Sequence, residues 1–202
     1  MKNFATMLKP LALSIALFAI FAAGQTVVKA GPITFSTTGS IGGGGNSMTF
    51  GSGGNTTQIT FTGVNSTVDA NPFTFASLGE FQTVVTGSGA AITPGTTFTL
   101  TINQTVPSAG TGFLQATING TITQNSSTGL VTFSVSSTTI NGVTYSLTNN
   151  PLPLVPPSTN NGVTSVQAQI TAVPEPATMI LLGTGLAGAA ASIRKRRKGE
   201  SS

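Results

Sequence analysis

The clearest pattern along the chain is an alternation of apolar and hydroxyl-bearing residues from Thr96 to Val106. A period of two is typical of a β-strand with one buried face, because successive side chains point to opposite sides of the sheet. We therefore predict a central strand that buries Phe98, Leu100 and Ile102. The intervening threonines are predicted to face away from the core: Thr97, Thr99 and Thr101.

Similar short segments recur from Gln58 onward, separated by turn signals about every ten residues. The strongest of these signals is Asn141-Gly142, a pair that favours tight hairpins because both residues tolerate a positive φ. Adjacent Val84 and Val85 break the alternation and suggest a β-bulge. Without helical periodicity in this region, the pattern predicts an all-β fold, an antiparallel β-sandwich over residues 58–173. An open, barrel-like sheet is the alternative.

The aromatic spacing and the glycine content refine this prediction. Phe73 and Phe75 are two residues apart, as Ile59 and Phe61 are, so the two side chains of each pair are predicted to point to the same face of their strand. Residues 31–57 are rich in glycine and use one short unit twice, so we expect a flexible segment with two weak strands joined by glycine turns. Calcium-binding glycine-rich repeats carry aspartate where these units have asparagine, so a calcium role is not expected.

The N-terminus has the composition of a secretory signal peptide. Lys2 and Lys9 accompany an apolar run from Leu11 to Ala23, and small residues follow the run. We predict that residues 1–30 are removed on export, with cleavage after Ala30; cleavage after Ala23 is the alternative. A helix is expected at about residues 6–25.

The C-terminus carries three features in order: a Pro-Glu-Pro triplet at 174–176, an uncharged segment at 177–193 and a basic cluster at 194–198. Seventeen residues form a helix of about 25 Å, near the short limit for spanning a bilayer core of about 30 Å. We therefore predict a transmembrane helix here. Because charged side chains are costly inside a bilayer, the basic residues are predicted to stop translocation: Arg194, Lys195, Arg196, Arg197 and Lys198.

These three parts, together with the signal peptide, resemble the PEP-CTERM tail of exported bacterial proteins. The resemblance implies that an envelope protease, exosortase, recognises and processes the chain at Pro174, Glu175 and Pro176. It also implies export by signal peptidase and the Sec machinery, transient inner-membrane anchoring, and a final place at the surface or in the extracellular matrix of a Gram-negative-type bacterium. Such tails are sometimes labelled ice-binding protein C-terminal domains. The body (residues 31–173) is similar in pattern to the β-rich choice-of-anchor domains found before them, and the segment from Phe75 to Leu147 carries this resemblance.

The formal charge of +4 does not describe the body. All eight lysines and arginines lie in residues 1–30 and 194–198, whereas the body carries only Asp69 and Glu80. Nucleic-acid binding depends on basic side chains that neutralise phosphates. The sequence therefore excludes a nucleic-acid partner for the body.

The body also offers little for catalysis. It has no histidine, cysteine or lysine, so no base is present to activate a serine or threonine. Asp69 and Glu80 would act as a glycosidase pair only if the fold brought them into one cleft. We expect no enzymatic activity, no cofactor and no metal site.

These observations favour a non-enzymatic, exosortase-sorted surface or matrix protein associated with exopolysaccharide or biofilm. The alternative is a glycan- or ice-binding module that uses the regular hydroxyl and methyl groups of Thr97, Thr99 and Thr101. Threonine is also favoured at solvent-facing strand positions by β-propensity alone.

Overall fold

The computed structural model describes residues 31–172 and, separately, Gly185. Residues 31–172 form fourteen β-strands and one 3₁₀ turn at Asn160–Gly162. The strands are β1 (Pro32–Ile41), β2 (Ser47–Ser52), β3 (Asn55–Thr62), β4 (Asn65–Asp69), β5 (Phe73–Thr86), β6 (Ala90–Ala91), β7 (Thr96–Val106), β8 (Gly110–Asn119), β9 (Thr121–Ile122), β10 (Leu130–Val135), β11 (Ser137–Ile140), β12 (Val143–Leu147), β13 (Leu152–Pro153) and β14 (Val163–Ala172).

Two six-stranded antiparallel sheets make up most of the fold. The first sheet has the order β13-β10-β8-β7-β1-β4, and the second has the order β11-β12-β14-β5-β3-β2. A small third sheet pairs β6 with β9. The predicted all-β antiparallel fold is confirmed, and β7 lies inside the first sheet between β8 and β1, as expected for a central strand.

Phe98 joins the two sheets at the centre of one hydrophobic core. Its ring centroid lies 4.8 Å from that of Phe81 and 5.1 Å from that of Phe61, both on the second sheet. On its own sheet, Phe133 lies 6.2 Å away. These separations are within the range of favourable aromatic pairs. The two sheets therefore pack against each other through their inward-facing aromatic side chains.

The alternation predicted for β7 is confirmed. Phe98, Leu100 and Ile102 are at most 1% exposed. Thr97 is exposed, and Thr99 and Thr101 are partly exposed. The hairpin predicted at Asn141-Gly142 is also present, because both residues have a positive φ and connect β11 to β12.

Residues 31–57 differ from the predicted flexible segment. β1 spans ten residues between β7 and β4 and buries Ile33, Phe35 and Ile41. β2 and β3 form a hairpin through Gly53 and Gly54, both at positive φ. The two-sheet body thus begins at Pro32 rather than at residue 58, because glycine here makes tight turns.

Between residues 31 and 172 the structure contains no α-helix. No helix in the described part of the chain is long and apolar enough to cross a membrane. The helices predicted at about 6–25 and at 177–193 lie outside the described residues.

Candidate functional site

The end of β14 is where the body meets the predicted sorting tail. β14 lies between β12 and β5, with Ala172 opposite Val143 and Thr171 opposite Phe73. The described body therefore ends on a strand that is held from both sides. The predicted motif and stop-transfer residues lie outside the described residues: Pro174, Glu175, Pro176, Arg194, Lys195, Arg196, Arg197 and Lys198.

The first residue of β1 and the last residue of β14 lie at the same end of the two sheets, which we call the exit end. Pro32 is opposite Asp69 in the first sheet. Only three residues then separate Asp69 from Phe73, which is opposite Thr171 in the second sheet. Phe73 thus lies at the end of the body from which the chain continues past Ala172.

Two hydrogen bonds link the two sheets at the exit end. Gln104 on β7 donates from Nε2 to the carbonyl oxygen of Ile140, at 3.3 Å. Asn141 donates from Nδ2 to the carbonyl oxygen of Ala109, at 2.8 Å. The turn between β7 and β8 is thereby fixed against the turn between β11 and β12.

A β-bulge in β5 places two phenylalanines of the exit end on the outside. Val166 is opposite Gly79 but Gln167 is opposite Ser77, so Leu78 is an additional residue on β5. An additional residue reverses the alternation of side chains. Phe81 beyond the bulge is buried, whereas Phe73 and Phe75 before it are 47% and 59% exposed.

The position of the bulge is set by Gly79. Its φ of +129° is rarely adopted by other residues, and a Cβ there would lie 2.6 Å from the carbonyl oxygen of Thr62 and press on the ring of Phe61. The bulge predicted at Val84 and Val85 is absent, since β5 pairs regularly with β3 there. A glycine inside a strand is itself a bulge signal, so Gly79 was the residue that indicated it.

Phe73 and Phe75 pack edge to face, with ring centroids 5.8 Å apart and an interplanar angle of 75°. We call them the Phe73–Phe75 pair. On the neighbouring strand β14, Thr171 lies opposite Phe73 and Gln169 lies opposite Phe75. The pair is therefore an apolar patch bordered by uncharged polar side chains.

The predicted threonine row lies on the outer face of the first sheet. Thr99 is between Ser40 and Gln115, and Thr101 is between Thr38 and Phe113. These neighbours explain why Thr99 and Thr101 are less exposed than Thr97, which lies opposite Thr117. Because Phe113 is 51% exposed, the face combines hydroxyl and amide groups with one aromatic ring.

The two carboxylates of the body lie in different sheets. Asp69 is the last residue of β4 in the first sheet, and Glu80 is on β5 in the second. Both are exposed. Within the described residues, no three His, Cys, Asp or Glu side chains are grouped so that they could hold a metal ion.

Tyr145, on the inner face of β12, is the body's buried titratable group. It is 0% exposed and donates from its hydroxyl to Oε1 of Gln104, at 2.9 Å. Its ring packs edge to face on Phe35, with centroids 5.5 Å apart. Because burial disfavours the charged phenolate, the pKa of Tyr145 is raised well above its ordinary value. This side chain is a structural link between the sheets.

The burial of Tyr145 predicts a loss of stability in alkali. Its pKa is raised in the folded state, so above about pH 10 the unfolded chain loses the proton first. The free energy of unfolding should fall there by up to about 1.4 kcal/mol per pH unit. Since the chain has one tyrosine and no tryptophan, tyrosinate absorbance reports this group directly. Tyr145→Phe should remove the associated pH dependence, whereas ionisation near pH 10 in the folded protein would contradict the assignment.

Comparison with known proteins identifies the segment that follows the body. Residues 172–197 match the family model described as the PEP-CTERM protein-sorting motif. No curated protein and no solved structure matches the chain. The match confirms the resemblance inferred from the sequence and begins at Ala172, the last residue of β14. A motif of this kind indicates an exported protein that exosortase sorts and processes.

Proposed function

We propose that this chain, which carries a PEP-CTERM protein-sorting motif, is a non-enzymatic surface or extracellular-matrix protein associated with exopolysaccharide or biofilm. Exosortase processes it at Pro174-Glu175-Pro176 after the segment 177–193 has anchored it in the inner membrane. The observation that carries the proposal is the motif match at residues 172–197.

The position of the motif supports processing without loss of the fold. All fourteen strands lie at or before Ala172, and the core is built from side chains within those strands and the turns between them. A cut after residue 172 therefore leaves all fourteen described strands in the product. The processed product would keep the two packed sheets and their hydrogen bonds.

The surface of the body supports a place among hydrated neutral polymers. Its outer faces carry mainly hydroxyl and amide side chains, and it has no lysine or arginine and only two carboxylates. Hydroxyl and amide side chains can exchange hydrogen bonds with the hydroxyl groups of a neutral polysaccharide, and the low charge gives little attraction to charged polymers. The same composition supports the non-enzymatic assignment, because the body has few acid–base groups.

A glycan- or ice-binding module remains the second candidate, favoured by the threonine row. Thr97, Thr99 and Thr101 face outward, and the exposed ring of Phe113 lies opposite Thr101. An aromatic face beside hydroxyl and amide groups can contact both the C–H and the O–H groups of a sugar. Retention on a polysaccharide that Phe113→Ser abolishes would favour this candidate, whereas retention unaffected by that change would count against this face.

Expression in paired hosts tests the sorting proposal. In a host with a working exosortase, we expect the chain to lose its tail and leave the inner membrane. In the same host without exosortase, the form lacking only its signal peptide should accumulate in the inner-membrane fraction. Membrane fractionation and gel mobility distinguish the two forms. Identical products and locations in both hosts would contradict the proposal.

A further inference from the structure

The three exposed phenylalanines of the described body lie towards the exit end. Phe73 is the first residue of β5, Phe75 is two residues further, and Phe113 is the fourth residue of β8. Single exposed apolar side chains are common on soluble surfaces. The Phe73–Phe75 pair differs because it is two adjacent rings, turned outward by a bulge that requires glycine at position 79.

On the edge of β5 away from β14, no strand of the described body pairs with the part of β5 that carries the Phe73–Phe75 pair. β3 reaches only Thr62, which is opposite Glu80, so the first part of β5 pairs with β14 alone. β4, the next strand in sequence, belongs to the first sheet. The Phe73–Phe75 pair thus lies at an open corner of the second sheet.

The chain itself places this corner close to the predicted membrane segment. Four residues separate Ala172 from residue 177, where the uncharged segment begins. Fully extended, the five steps from 172 to 177 cover at most about 18 Å. Because Phe73 lies opposite Thr171, the pair is held within a short distance of any bilayer that contains the segment. A short tether of this kind gives an effective concentration of roughly millimolar or more.

Charge determines which contact with a bilayer is available. Attraction to anionic headgroups requires lysine or arginine, and the body contains neither. Asp69, at the exit end, and Glu80 add only negative charge. An apolar contact at the boundary between headgroups and acyl chains remains, and aromatic side chains are suited to that position.

We propose that the Phe73–Phe75 pair is a membrane-contact surface that lays the outer face of the second sheet against the bilayer while the precursor is anchored. This contact rests on the proposed function, because it requires the segment 177–193 to be inserted. It fixes which side of the body faces the lipid beside the processing motif. After the tail is removed, the tether is lost and two phenylalanines no longer hold the protein on the membrane.

The absence of cysteine from the chain allows a site-specific test. A fluorophore is attached to the full chain through Gln167→Cys, on the outer face of the second sheet, or through Gln115→Cys, on that of the first. Each protein is reconstituted into phosphatidylcholine vesicles whose headgroups carry a nitroxide quencher. We expect severalfold stronger quenching at position 167 than at position 115.

Matched variants identify the side chains responsible. The double change Phe73→Ser and Phe75→Ser should abolish the difference between the two labels. Two controls should keep it: Phe113→Ser, which removes an equally exposed ring from the other sheet, and Val84→Ser, a 47% exposed residue at the far end of β5. Flotation with the vesicles is measured for every protein to confirm insertion.

Each outcome bears on a different part of the proposal. Equal quenching at both positions in protein that floats would overturn the contact while leaving the inserted segment intact. Quenching that needs anionic lipid and falls between about 0.05 and 0.5 M salt would show an electrostatic contact and overturn the apolar one. Protein that fails to float would show that the segment does not insert, and the membrane route of the proposed function would be wrong as well.

Discussion

Replacing Phe98 by alanine is expected to lower the free energy of unfolding by about 3–5 kcal/mol. Phe98 is 1% exposed, and its ring contacts aromatic rings from both sheets. Removing it leaves a cavity at the junction of the sheets, which the neighbouring rings can fill only in part. Because a typical domain is stable by about 5–15 kcal/mol, the loss is a large fraction of the total.

Denaturant unfolding followed by circular dichroism measures this loss. Phe75→Ala is the matched control, since it makes the same chemical change at a side chain that is 59% exposed. We expect the control to change the stability by about 0.5 kcal/mol or less. Similar losses for the two variants would show that Phe98 is not the central contact between the sheets.

Changing Pro174, Glu175 and Pro176 together to alanine is expected to abolish processing without affecting insertion. Insertion depends on the apolar character of residues 177–193 and on the charges at 194–198, and neither is altered. The full-length form without its signal peptide should therefore accumulate in the inner membrane. Immunoblotting of membrane and extracellular fractions measures the distribution.

The basic cluster provides the contrasting variant. Replacing the charges at residues 194–198 by glutamine should weaken the stop signal, so the short segment would slip through or misorient. Its expected defect is in topology, which protease accessibility from the cytoplasmic side detects. Normal processing of the triple-alanine variant would show that the triplet is not the recognition element.

The first sheet was predictable only in those strands where hydrophobic alternation is regular. In β7, apolar residues alternate with threonine over eleven residues, and burial follows that alternation. In β5, the spacing of Phe73, Phe75 and Phe81 also suggests one alternation, but the additional residue at Leu78 reverses it in mid-strand. Phe73 and Phe75 therefore share the spacing of Phe61 without sharing its burial. Local spacing alone cannot show such a reversal, because it depends on pairing with β14.

Glycine content was misleading at the start of the body for a related reason. Gly53 and Gly54 form the turn of a hairpin, and Gly39 packs so closely on Phe61 and Phe98 that a side chain would clash with their rings. These glycines are parts of an ordered structure. A composition that suggests flexibility can equally serve tight turns and close approach of backbone to aromatic rings.

The candidate sites also differ in how far the sequence alone could predict them. The sorting motif could be read from the sequence, because a triplet, an apolar segment and a basic cluster act through local chemistry. The threonine row was also predicted, but its neighbours Thr38 and Phe113 come from strands distant in sequence. The Phe73–Phe75 pair depends on both a bulge and the path of the chain to Ala172, so it required the structure.

Mass spectrometry of the mature C-terminus shows whether the tail is an exosortase signal. In wild-type protein from a host with a working exosortase, we expect a C-terminus at or near Pro174-Glu175-Pro176, with residues 177–202 absent. A mature protein that retains Arg194 to Lys198 in such a host would show that exosortase does not process the tail, and would indicate a permanently anchored protein.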